Sequence, residues 1–150
     1  MKLSSISRAQ LEKAGLTDER VSDVSDFIKI CKLNGYEIND YAICFVEQFG
    51  WLKGSHRAYR TIDLESFDFN PCKAISDIPK ERVDIYSLRY GEGLIPIGEI
   101  FTEHLTLMVS SSGALLGGYD DYLCIIGESL EKGIEAIFEP VSYKEVVSLQ

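Results

Sequence analysis

Ser129 is the residue best placed for chemistry. It follows Gly127-Glu128 where an apolar run, Tyr122–Ile126, gives way to a helical pattern. A nucleophile elbow presents its serine at such a strand-to-helix step, in the pattern G-x-S-x-G. Here Glu131 takes the place of the second glycine, the residue that lets the strained turn pass its neighbours. Both histidines, His56 and His104, precede the serine, whereas the hydrolase order puts the histidine after it. A serine that opens a helix more often accepts a backbone N–H of the first turn. The hydroxyl therefore reads as a cap, and a serine hydrolase using Ser129 stands as an outlying alternative.

Two further patterns stop short of a site. Gly91-Glu92-Gly93-Leu94-Ile95-Pro96 opens like a dinucleotide loop, but Pro96 replaces the third glycine and the run leads into a strand. Such a loop needs a helix N-terminus aimed at the pyrophosphate. His56 and His104 lack Cys or His partners at zinc spacing, and Asp120-Asp121 lacks the staggered ligands of a calcium loop. No catalytic residue, metal or cofactor is expected.

The charge points instead to a protein partner. There are 24 acids against 15 bases, a net −9. That balance disfavours direct nucleic-acid binding, which rests on Lys and Arg neutralising phosphates. Between Val83 and Glu131 stand eight acids and one base, Arg89, so this stretch alone carries −7. Tyr119 and Tyr122 flank Asp120 and Asp121, and aromatics beside carboxylates suit the anchoring of a basic partner. Glu99, Glu103, Tyr119, Asp120, Asp121, Tyr122 and Glu128 are the candidate partner-binding residues. The competing reading is a solvated turn whose tyrosines cover the core edge.

The elements that position these residues follow from periodicity. Ser7 and Gln10 suggest a capping box for a short helix ending at Gly15, and Thr17 a cap for the next. Val24, Phe27, Ile28 and Cys31 repeat at i, i+3, i+4 and i+7, one apolar helical face. Asn39 caps a third helix carrying Ala42, Phe45, Val46 and Phe49, with Gly50 as its stop. Strands are expected at Trp51–Tyr59 and Asp63–Phe69, then a helix from Pro79 to about Tyr90. Further strands fall at Leu94–Phe101, Leu105–Ser110, Ala114–Gly118 and Tyr122–Ile126, joined by short turns that favour antiparallel pairing. Ser129 opens a last helix in which Gly133 implies a close approach to the sheet. The fold class is α+β: N-terminal helices, a mostly antiparallel central sheet and a C-terminal helix packed on it.

A chain of 150 residues suits one domain, residues 1–150. Cys31, Cys44, Cys72 and Cys124 include no CxxC pair, and the first residues lack the apolar segment of a secretory signal. The longest apolar run, Tyr41 to Val46, is far short of a membrane span. A reduced, cytoplasmic protein is expected.

The stretch Leu94-Ile95-Pro96-Ile97-Gly98-Glu99, the strand Leu105–Val109, the turn at Gly113 and the run Ile126-Gly127-Glu128-Ser129-Leu130-Glu131 resemble, in order, the third family of the SUKH superfamily of bacterial immunity proteins. Phe45-Val46-Glu47-Gln48-Phe49-Gly50-Trp51-Leu52 is similar to that family's segment closing an early helix, with Trp51 in place of a second glycine. Gly113-Ala114-Leu115-Leu116 and Gly133 depart from the pattern too. The resemblance implies an α+β fold and direct inhibition of a cognate polymorphic toxin, often a nuclease, and the acidic stretch suits a basic one. A regulatory protein-binding adaptor of the same superfamily is the alternative. Self-association is left open.

Overall fold

The structure, a computed structural model, describes residues 1–57, 64–139 and 143–147. Three helices come first: α1 (Ser5–Lys13), α2 (Ser25–Leu33) and α3 (Asp40–Phe49). The strands β1 (Lys53–Arg57) and β2 (Leu64–Asp68) lead to α4 (Pro71–Asp77) and α5 (Lys80–Tyr90). A meander follows, β3 (Leu94–Ile100), β4 (Leu105–Ser110), β5 (Leu115–Tyr119) and β6 (Tyr122–Gly127), then α6 (Leu130–Phe138) and β7 (Lys144–Glu145). The strands pair in chain order, all antiparallel. The expected α+β class is therefore the observed one.

Several helix starts differ from the expectation. The cap of α1 is Ser4, whose Oγ accepts from Ser7 N at 3.2 Å, while Ser7 itself is buried inside the helix. Thr17 caps nothing: Thr17 to Arg20 is a turn, closed by Arg20 N donating to Thr17 O. The second helix starts later, at Ser25, where Asp23 Oδ1 takes both the Ser25 N–H and hydroxyl. Asn39 and Ser129 cap as expected, accepting from Ala42 N at 2.9 Å and Lys132 N at 3.2 Å. Helix α4 was not expected, although Asn70-Pro71 announces it. Asn70 Oδ1 accepts from Lys73 N at 3.0 Å, and Pro71 sits at the first helical position, where its missing N–H costs nothing. Strand β7 was also unforeseen. Two expected strands extend past the observed ones, and their outer ends, residues 58–59 and residue 63, fall outside the described residues.

Buried side chains form one apolar cluster that runs from Leu11 of α1 to Phe138 of α6. Strand β3 is buried along its whole length, the charged Glu99 included. Helices lie on both sides of the meander. Gly133 of α6 rests on Leu115 of β5, where an added Cβ would stand 2.5 Å from Leu115 Cδ1. Tyr86 of α5 rests on Gly118, three residues on and so on the opposite face, where a Cβ would stand 2.5 Å from the Tyr86 ring. The close approach implied by Gly133 is thus present, and a second glycine does the same for α5.

Candidate partner-binding site

Antiparallel order gathers the β3–β4 turn and the tip of the β5–β6 hairpin at one end of the sheet. Glu99, Glu103, Tyr119, Asp120, Asp121 and Tyr122 all lie there. Glu128 does not. It follows β6 at the opposite end, beyond the pair Leu115–Gly127. Six of the seven nominated residues therefore share a region and the seventh stands apart.

The Pro96-Ile97-Gly98 step sets Glu99. Pro96 has no N–H for the ladder, and the register shifts there, Pro96 facing Met108 and Gly98 facing Leu107. The extra residue reverses the alternation, so Glu99 pairs opposite Thr106 on one side and Asp68 on the other. Gly98 permits that approach, since a Cβ there would stand 2.9 Å from Asp68 O. Glu99 is only 8% exposed. Burial raises its carboxyl above the ordinary carboxylate range, and the hydrogen bond from Lys73 opposes this. Lys73 Nζ bonds Glu99, Asp77 at 2.9 Å and Glu103 at 3.3 Å. Its hydrogen bond to Glu99, then that to Asp77, holds it protonated well above the usual lysine value.

The turn beyond β3 is strained. Phe101, Thr102 and Glu103 have φ of 54°, 56° and 67°, three successive non-glycine residues in the left-handed region. Each costs on the order of 1–2 kcal/mol. The surroundings hold the turn. Thr102 N donates to Ser66 O at 3.0 Å, Ser66 N donates to Thr102 Oγ1 at 3.2 Å, and Phe101 stacks on Tyr143 with ring centres 5.9 Å apart. Strain fixed by its neighbours is characteristic of functional surfaces.

Helix α5 fastens the hairpin tip. Arg82, Tyr86 and Arg89, at i, i+4 and i+7, form one edge of the helix. The Tyr86 hydroxyl donates to Asp120 O at 2.6 Å, Arg82 Nη1 to the same oxygen at 2.9 Å, and Arg89 Nη1 to Asp121 O at 2.6 Å. Asp120 takes the left-handed conformation the tight turn requires, with φ of 48°. The carboxylate of Asp121, 98% exposed, lies 3.2 Å from Arg82. Tyr119 is 55% exposed and meets His104 edge-on. Burial, then the Cys124 thiol, pushes the Tyr122 phenol up to about 12.

Folding redistributes the acidic stretch. Glu92, Glu128 and Glu131 go to the far end. There Glu92 takes Ser111 Oγ at 3.0 Å and Ser112 N at 2.9 Å, and Glu131 takes Lys2 N at 2.8 Å. Lys73 and Arg82, which precede the stretch in sequence, come into the near end. A groove of about 380 Å³ remains between α5 and the β3–β4 turn, lined among others by Asp77, Arg82, Glu99, Glu103, Tyr119 and Asp120. It is acidic, but less so than the sequence window implies.

Sequence reasoning missed Lys73, Asp77, Arg82 and Tyr86. The 3.6-residue spacing of Arg82, Tyr86 and Arg89 was the available signal. Ser129 has no histidine beside it. His56 packs against Phe138 at the other end of α6, with ring centres 5.1 Å apart, and His104 stands beside Tyr119. Among the described residues no group of three or more His, Cys, Asp or Glu side chains is placed to hold a metal ion, and no helix is long and apolar enough to cross a membrane. A family model described as SUKH-3 immunity protein matches residues 8–139. No curated protein and no solved structure matches the chain.

Proposed function

The chain belongs to the SUKH-3 immunity protein family, and from that premise we propose that it neutralises a cognate protein toxin by binding it directly, in the cytoplasm. The toxin is a polymorphic toxin with a basic active face, a nuclease being the class that best fits an acidic inhibitor. Family membership carries the reading. The gathering of Glu103, Tyr119, Asp120 and Asp121 at one strained, firmly braced end of the sheet supports the choice of docking region. Carboxylates there would occupy cationic side chains that otherwise hold phosphate, and the net −9 would speed encounter with a basic surface.

Coexpression with the toxin domain encoded beside this gene tests the proposal. Growth is expected to be restored, and the two proteins are expected to elute together on size exclusion. No rescue and no complex would refute it. Within a complex, Asp120→Lys with Asp121→Lys is expected to slow association about tenfold and flatten its salt dependence. An unchanged rate would make these acids a solvated turn.

A further inference from the structure

Helix α5 turns outward a face that the fold does not use. Glu81, Asp84, Ile85 and Leu88 fall at i, i+3, i+4 and i+7 and are all exposed, Ile85 by 52% and Leu88 by 79%. The opposite face, Val83 and Tyr86, is in the core. The bases of this helix are all turned onto partners within the chain. Lys80 pairs with Asp84 at 2.6 Å and lies over the Tyr36 ring at 5.0 Å, while Arg82 and Arg89 hold the hairpin tip. What the helix shows to solvent is an apolar pair bordered by carboxylates, and Glu81 has no ion-pair partner among the described residues.

This face is continuous with the hairpin. Ile85 lies one helical turn from both Arg82 and Arg89, the residues that bond Asp120 and Asp121. Carboxylates on a surface are screened by salt and contribute little by themselves, whereas interfaces are centred on desolvated apolar side chains with polar groups around them. The hairpin end supplies the polar part and α5 the apolar part.

We infer that the outward face of α5, centred on Ile85 and Leu88, is the apolar centre of the toxin-docking surface, its occupant a basic toxin surface that offers an apolar recess. The inference rests on the immunity reading above. Charge complementarity selects this occupant over a second copy of the chain. A second copy carries the same net −9 and the same Glu81, unpaired among the described residues, whereas a basic surface meets them with opposite charge.

The test is the affinity of the purified neighbouring-gene toxin domain for the full chain and two exposed-site variants, with melting temperatures to confirm folding. Leu88→Arg is expected to weaken binding about 100-fold or more, and Leu88→Glu only about tenfold, because a basic partner repels the first and attracts the second. Wild-type binding with Leu88→Arg equally tight overturns the assignment to α5 and leaves the immunity reading intact. A wild-type chain that does not bind the toxin overturns both. A wild-type dimer that Leu88→Arg disperses also overturns the assignment, because the face then belongs to a second copy.

Discussion

Tyr36 and Tyr86 each carry a hydroxyl into the interior, with opposite outcomes. Tyr86 donates to Asp120 O at 2.6 Å and so joins α5 to the hairpin tip. The Tyr36 hydroxyl is buried with no partner among the described residues, near Cys31 and Asp84. Burial raises both phenols, so both stay protonated at neutral pH. An intramolecular hydrogen bond contributes about 1 kcal/mol net, while an unmade one costs its desolvation. Tyr86→Phe is therefore expected to lower stability by about 1 kcal/mol in urea unfolding, Asp120 O keeping its bond from Arg82. Tyr36→Phe is expected to be neutral or stabilising by up to about 1 kcal/mol. Equal losses at the two positions would contradict the assignment. No sequence pattern separates these two tyrosines, because their difference depends on what lies across from each after folding.

Helices α5 and α6 reach the sheet through glycines. At Gly133 the helix gives up about 1 kcal/mol of propensity relative to alanine. It gains a contact in which Leu115 Cβ and Cγ would lie 2.7 Å from an added Cβ. Leu115 Cβ moves only with the strand. Gly133→Ala is accordingly expected to destabilise the protein by about 1–3 kcal/mol, an overpacking cost that outweighs the propensity gain. A stabilised variant in a thermal melt would mean that α6 stands off the sheet. Much at this scale was legible beforehand. The meander from Leu94 to Gly127 has turn chemistry at each corner, and Ser129 and Asn39 are strong caps, so local sequence and fold agree. The misses have physical causes. Thr17 has cap chemistry, but the apolar face begins only at Val24, so the helix starts at Ser25 instead. Helix α4 is short, and its Asn70-Pro71 start directly follows a strand pattern that masks it. Strand β7 has two residues and depends on its pairing with β6.

Across the whole molecule, charge proved the least legible property. Eight acids lie in residues 83–131, but the fold sends Glu92, Glu128 and Glu131 to one end of the sheet and Glu99, Glu103, Asp120 and Asp121 to the other. It then brings Lys73 and Arg82 among the second group. Excess charge summed along a sequence says how the molecule behaves at long range, where encounter is governed. It does not say which surface is acidic, because lysines and arginines arrive from other elements. The fold class and the family were readable because they depend on ordered local patterns, from the Pro96-Ile97-Gly98 step to the Gly127–Ser129 helix start. The proposed docking face was only half readable, since α5 enters it through packing on Gly118. The central claim is that this chain silences a toxin by direct contact. It is tested by adding the purified chain to a purified candidate toxin domain from a neighbouring gene and following that domain's activity. Activity is expected to fall to background near an equimolar ratio; full activity in excess inhibitor would contradict the claim.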